Sequence, residues 1–125
     1  MLKHIALAAL LSLATACTAD PEAGDKCTPE GGITCDTTTS ALFCEGGVFR
    51  AVPCRGGAGC VAGQDRGVCD LTKAQAGDAC PASAANSGQC DAANPNQLLK
   101  CTGGTWTAQA CKSCSTQAGG IYCVP

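Results

Sequence analysis

Large apolar side chains are scarce in this sequence. Beyond residue 16, Ile, Leu, Val, Phe, Trp and Tyr together number 15, and methionine is absent. So few cannot enclose the core that a chain of this length would ordinarily bury. Histidine is represented by His4 alone, so no Ser or Cys further along can be activated by a histidine base. Zinc would have to rely on cysteine with carboxylates. Basic charge is short as well: eight Lys and Arg stand against ten Asp and Glu, a net charge of −2. With no basic patch, nucleic acid is excluded as a partner. A membrane span takes about 20 consecutive apolar residues, and the run from Ile5 to Leu13 falls well short. No Asn-x-Ser/Thr sequon is present.

What the chain has instead is cysteine, 13 in 125 residues. That density marks an exported disulfide scaffold and places the chain in an oxidising compartment: periplasm, cell surface or outside. A bridge closing a loop of about 15 residues contributes roughly 3 kcal/mol, so a set of bridges can stand in for the missing core. The protein is therefore expected to be small and disulfide-rich, with no cofactor and no metal.

The first seventeen residues, MLKHIALAALLSLATAC, have a basic start at Lys3 and His4, a short apolar stretch, and small residues before Cys17. This is the pattern of an export signal. Ala14-Thr15-Ala16 would suit ordinary signal peptidase and a secreted product. The same residues followed by Cys17 also resemble the lipobox of bacterial lipoproteins, with Ala14 where leucine is commoner. That resemblance implies a diacylglycerol on the Cys17 thiol, cleavage before Cys17, and acylation of its amine. It further implies retention in the outer membrane, because Thr18 rather than Asp follows the cysteine. Cysteine arithmetic points the same way: an odd count leaves one thiol unpaired, and removing Cys17 makes the remainder even.

The rest of the chain repeats itself. Ala23-Gly24-Asp25-Lys26-Cys27 matches Ala76-Gly77-Asp78-Ala79-Cys80, and Cys35-Asp36 matches Cys90-Asp91. The stretch Leu42 to Phe49 matches Leu99 to Trp106. Cys54, Cys60 and Cys69 match Cys111, Cys114 and Cys123. The organisation read from this is a signal peptide over residues 1–16, a lipidated tether over 17–23, repeat 1 over 24–70, a linker over 71–75 and repeat 2 over 76–125. Each repeat carries six cysteines.

Gly46-Gly47 and Gly103-Gly104 are two-residue turn signals flanked by β-prone residues. Such a turn sets Cys44 opposite Phe49 and Cys101 opposite Trp106, bringing an aromatic ring against a disulfide. The fold class expected is two tandem six-cysteine units with short β-hairpins and little or no helix after the signal. Sequence does not choose among the connectivities of six cysteines. The arrangement expected is first to third, second to fourth and fifth to sixth. The last pair has the same nine-residue spacing in both units, Cys60 to Cys69 and Cys114 to Cys123.

Candidate chemistry is sparse. Cys111-Lys112-Ser113-Cys114 is a C-x-x-C, but its counterparts Cys54 and Cys60 are more widely spaced, so structural bridges are expected rather than a redox pair. Asp25, Asp78, Asp36 and Asp91 recur at equivalent places and read as turn formers. Trp106 and Tyr122 are the candidate binding residues if they are exposed, stacking on a sugar or anchoring a protein; the competing reading places Trp106 and Phe49 in the core. The hairpin segment is loosely similar to peritrophin-type chitin-binding modules, although the cysteine spacings differ and no binding residue carries over. Arg55 or Arg66 could serve as the specificity residue of a protease inhibitor. The function expected is that of a lipid-anchored, non-enzymatic cell-envelope protein with a structural or adhesive role. The alternatives are a carbohydrate-binding module and a disulfide-rich inhibitor.

Overall fold

The structure is a computed structural model that describes residues 19–125. The signal segment, Cys17 and Thr18 lie outside the described residues.

The Gly-Gly dipeptides organise each unit. Gly46 and Gly47 have φ of 62° and 77°, and Gly103 and Gly104 have 58° and 79°. Two successive left-handed residues make the turn whose twist matches that of paired strands, and only glycine adopts it without strain. Strand β2 (Ser40–Glu45) therefore folds back as β3 (Val48–Pro53), with Cys44 facing Phe49. Strand β1 (Ile33–Thr37) adds to the other edge of β2. Strands β4 (Cys60–Ala62) and β5 (Gly67–Cys69) form a separate two-stranded hairpin.

The second unit repeats this plan. Strand β6 (Gly88–Cys90) flanks β7 (Gln97–Thr102), which pairs with β8 (Thr105–Ala110) and sets Cys101 opposite Trp106. Strands β9 (Ser113–Gln117) and β10 (Gly120–Val124) make the second small hairpin. The one helical element among the described residues is a single 3-10 turn at Ala82–Ala84. The protein is thus a small all-β, disulfide-rich fold.

The sheet signals in the sequence are local, but the bridges are not. Cys27–Cys44, Cys35–Cys60 and Cys54–Cys69 close the first unit. Cys80–Cys101, Cys90–Cys114 and Cys111–Cys123 close the second. The order in both is first to third, second to fifth, fourth to sixth. First to third is as expected; the other two expected pairings are corrected. The shared nine-residue spacing reflects the length of the small hairpin, not a bridge across it. Cys60 sits opposite Cys69, and Cys114 opposite Cys123. The two sulfurs of each hairpin therefore emerge side by side on one face, and each reaches a different part of the three-stranded sheet. An isolated two-stranded hairpin is marginal in water, and this connectivity fixes it to the sheet at two points.

Around the bridges the cores are thin. In the first unit Ala41, Phe43, Val52, Cys54 and Cys60 are buried together, with Ile33 and Leu71 against them. In the second, Leu99 and Trp106 surround Cys80 and Cys101, joined by Ala74 from the segment between units.

The units are clamped by charge. Glu45 and Arg50 flank the first turn as diagonal neighbours on one face, with Arg50 Nε 2.8 Å from Glu45 Oε2. Arg50 also donates to the Gly104 carbonyl at 2.9 Å and to the Cys80 carbonyl. Glu45 Oε1 accepts from the Ala82 N–H at 2.6 Å. Gln89 reaches back to the Leu71 carbonyl at 2.9 Å.

Candidate binding surfaces

Every cysteine among the described residues is in a bridge. The C-x-x-C is therefore not a dithiol: Cys111 bonds Cys123 and Cys114 bonds Cys90. Among the described residues no three His, Cys, Asp or Glu side chains converge where a metal ion could sit.

Trp106 does not offer a binding face. Its ring is 3% exposed and packs on the Cys80–Cys101 bridge. Of the two readings of Trp106, the core one holds, because β8 turns this residue to the face that carries Cys101. Its indole Nε1 hydrogen is buried without an acceptor among the described residues. Phe49, at the equivalent place, is half-buried.

Tyr122 is 50% exposed. In β10 it alternates with Cys123, which points toward the sheet, so Tyr122 and Val124 point outward. Directly across from them stand Ser115 and Ser113. The outer face of this hairpin thus carries one aromatic ring beside Val124, with the Ser115 and Ser113 side chains opposite, and neither strand has a charged side chain. In the first unit the same face carries Val61 opposite Val68, exposed by 54% and 64%.

The two candidate arginines differ. Arg55 is bound to Asp78 of the second unit, Nε to Oδ2 at 2.7 Å and Nη2 to Oδ1 at 2.9 Å. This two-point geometry removes it from any loop tip. Arg66 is exposed in the turn between β4 and β5, where its carbonyl accepts from the Gly63 N–H at 3.0 Å. It borders a hollow of about 390 Å³ over Pro29, Ile33 and Phe49, and a neighbouring one of about 320 Å³ over Phe43, Leu71 and Pro81. These hollows combine residues distant in sequence, so no motif announced them.

Three of the four recurring aspartates are turn formers, as expected; Asp36 instead lies within strand β1, so the turn reading of it is corrected. Asp25 accepts from the Glu22 N–H, Asp78 from Gln75 and Asp91 from Ala93. Asp70 accepts from the Thr72 hydroxyl and from the Thr72 and Ala58 N–H groups. Those bonds hold its carboxyl below the usual aspartate value, the Thr72 hydroxyl contributing most. The hydrogen bond from the Arg55 guanidinium does the same to Asp78. Both groups are depressed in the folded state. The stability they contribute is therefore fully present above the ordinary aspartate value of about 3.9 and falls as pH drops through the lowered values. A urea midpoint held constant down to about pH 4 and falling below it is the expected result. Asp78→Asn should flatten that fall; an unchanged slope would remove the Arg55–Asp78 pair from the account.

No protein-family model, curated protein or solved structure matches the chain.

Proposed function

We propose that this chain is a bacterial envelope lipoprotein: exported behind residues 1–16, acylated at Cys17, and carrying a non-enzymatic body with a structural or adhesive role. The observation that carries the proposal is the pairing of all twelve cysteines from Cys27 to Cys123 within their own units. Cys17 is then the one cysteine of the thirteen outside both sets, and a lipid thioether gives it a partner that oxidising conditions would otherwise have to supply. The Thr18 that follows favours the outer membrane. The tether over 17–23 is short, and the clamps formed by Arg50, Glu45 and Arg55 support a body that stands off the membrane as one piece.

The exposed Tyr122 favours a contact role for the second unit, farther along the chain from the anchor. An aromatic ring with serine hydroxyls across from it suits a neutral polysaccharide, which offers C–H faces for stacking and hydroxyls for hydrogen bonding.

The test has two arms. The intact mass of the mature protein should show Cys17 as N-terminus with added acyl mass, and Cys17→Ser should release the protein from membranes. A Cys17→Ser protein that stays membrane-bound and is processed normally would remove the anchor. Tyr122→Ala should weaken retention on insoluble polysaccharide without changing the thermal transition; equal retention would leave a purely structural role.

A further inference from the structure

The two units provide an internal comparison. In the second, the Cys80 and Gly104 carbonyls receive the Arg50 guanidinium. Gly104 already accepts from the Cys80 N–H at 2.9 Å, so its oxygen takes two donors. A Cβ built on Gly104 would meet Arg50 Nη1 at 3.3 Å, which shows how closely the guanidinium covers this turn. The equivalent groups of the first unit are the Cys27 and Gly47 carbonyls. Gly47 accepts from the Cys27 N–H at 3.0 Å in the same way. There the likeness stops: a Cβ on Gly47 would meet nothing within 4 Å. Among the described residues no second donor reaches Gly47 and none reaches Cys27; Lys26, beside them, bonds to neither.

What the first unit adds is charge. The Glu30 carboxylate lies on this turn, accepting from the Gly46 N–H at 2.9 Å and the Gly47 N–H at 3.3 Å. In the second unit the residue three after the first cysteine is Ser83, which is neutral. Two after the first cysteine, Ala82 offers the N–H that takes Glu45, whereas Pro29 has no N–H to give. The first unit thus lacks the donor that receives a carboxylate and carries an anion on the turn whose counterpart in the second unit receives a guanidinium. Residues 28 to 30, 46 and 47 are all exposed, while Cys27 itself is buried with 9% of its surface open.

We propose that the Cys27 and Gly47 carbonyl oxygens with the Glu30 carboxylate form a binding site for an arginine side chain of a partner protein. The planar fork of a guanidinium can bridge two carbonyls and an adjacent carboxylate, which a lysine ammonium cannot do with the same geometry. The second unit has Thr102 and Thr107 where the first has Glu45 and Arg50, and Arg66, which borders the same hollow as Glu30, bonds to neither carbonyl. The site is independent of the lipid anchor.

The probe is N-acetyl-arginine amide, titrated by NMR into the mature protein carrying Cys17→Ser, with N-acetyl-lysine amide as the contrast. Saturable shifts confined to the amides of Thr28, Glu30, Gly46 and Gly47, larger for arginine than for lysine, are expected. Glu30→Gln should weaken the response about threefold, the scale of an exposed ion pair. If that variant misfolds, the arginine–lysine contrast on the parent decides alone. Equal shifts from the two probes, shifts scattered over Asp36, Asp65 and Asp70, or no shifts overturn the proposal. Concentration-dependent shifts at the same amides without any probe also overturn it, in favour of a second copy as occupant.

Discussion

A Cys60→Ser protein will carry its reactive thiol at Cys35, not at Cys69. The structure bonds Cys60 to Cys35 across a sequence separation of 25, the longest of the six bridges. Loop-closure entropy grows with the length enclosed, so this bridge should cost about 3–4 kcal/mol to lose. The loss should be local as well as global. Strands β4 and β5 would retain Cys54–Cys69 as their single fixing point, while β2 and β3 stay tied to the chain start through Cys27–Cys44. Amide exchange should therefore quicken at Val61 and Val68 and change little at Leu42 and Phe43. Alkylation followed by peptide mapping reads the thiol directly. A label on Cys69 would restore the fifth-to-sixth pairing that the constant spacing suggested and would overturn the arrangement described above.

That spacing shows where the sequence stopped being legible. The disulfide-rich class and the β-hairpins could be read because composition and local turn chemistry carry them. Gly46-Gly47 fixes a two-residue turn, and the turn fixes Cys44 opposite Phe49. Disulfide partners depend on how a hairpin sits on a sheet, which no local pattern encodes. Cys60 and Cys69 are opposite each other and still bond elsewhere. The clamp between units was half legible. Glu45 and Arg50 flank a turn, so their shared face follows from the hairpin, but the acceptors on the far side are the Cys80 and Gly104 carbonyls. Every residue has a carbonyl, so such acceptors leave no trace in the sequence. The same holds for the carbonyls of Cys27 and Gly47. Only the contrast between the two units distinguishes an acceptor pair that receives a guanidinium from one that does not.

Replacing Trp106 by alanine is expected to cost about 3–5 kcal/mol, the range for deleting a large buried aromatic, against a total of roughly 5–15 kcal/mol for a small domain. The reason is the poverty of the second core. Leu99 and Ala74 are the only other buried side chains clustered with Trp106 around Cys80 and Cys101 among the described residues, so little else can collapse into the space. Trp106→Phe should cost much less. The first unit already places Phe49 at this position, and phenylalanine removes the indole N–H that is buried without an acceptor, a group whose burial is itself unfavourable by about 1–3 kcal/mol. Tyr122→Ala, half-exposed on the outer hairpin, should fall within about 0.5 kcal/mol of the parent. Because Trp106 is the only tryptophan, its fluorescence reports on the same question. Emission should be blue-shifted, weakly quenched by acrylamide, and unmoved by saturating polysaccharide. Red-shifted, readily quenched emission would mean that this ring faces solvent and would return Trp106 to the candidate binding residues beside Tyr122.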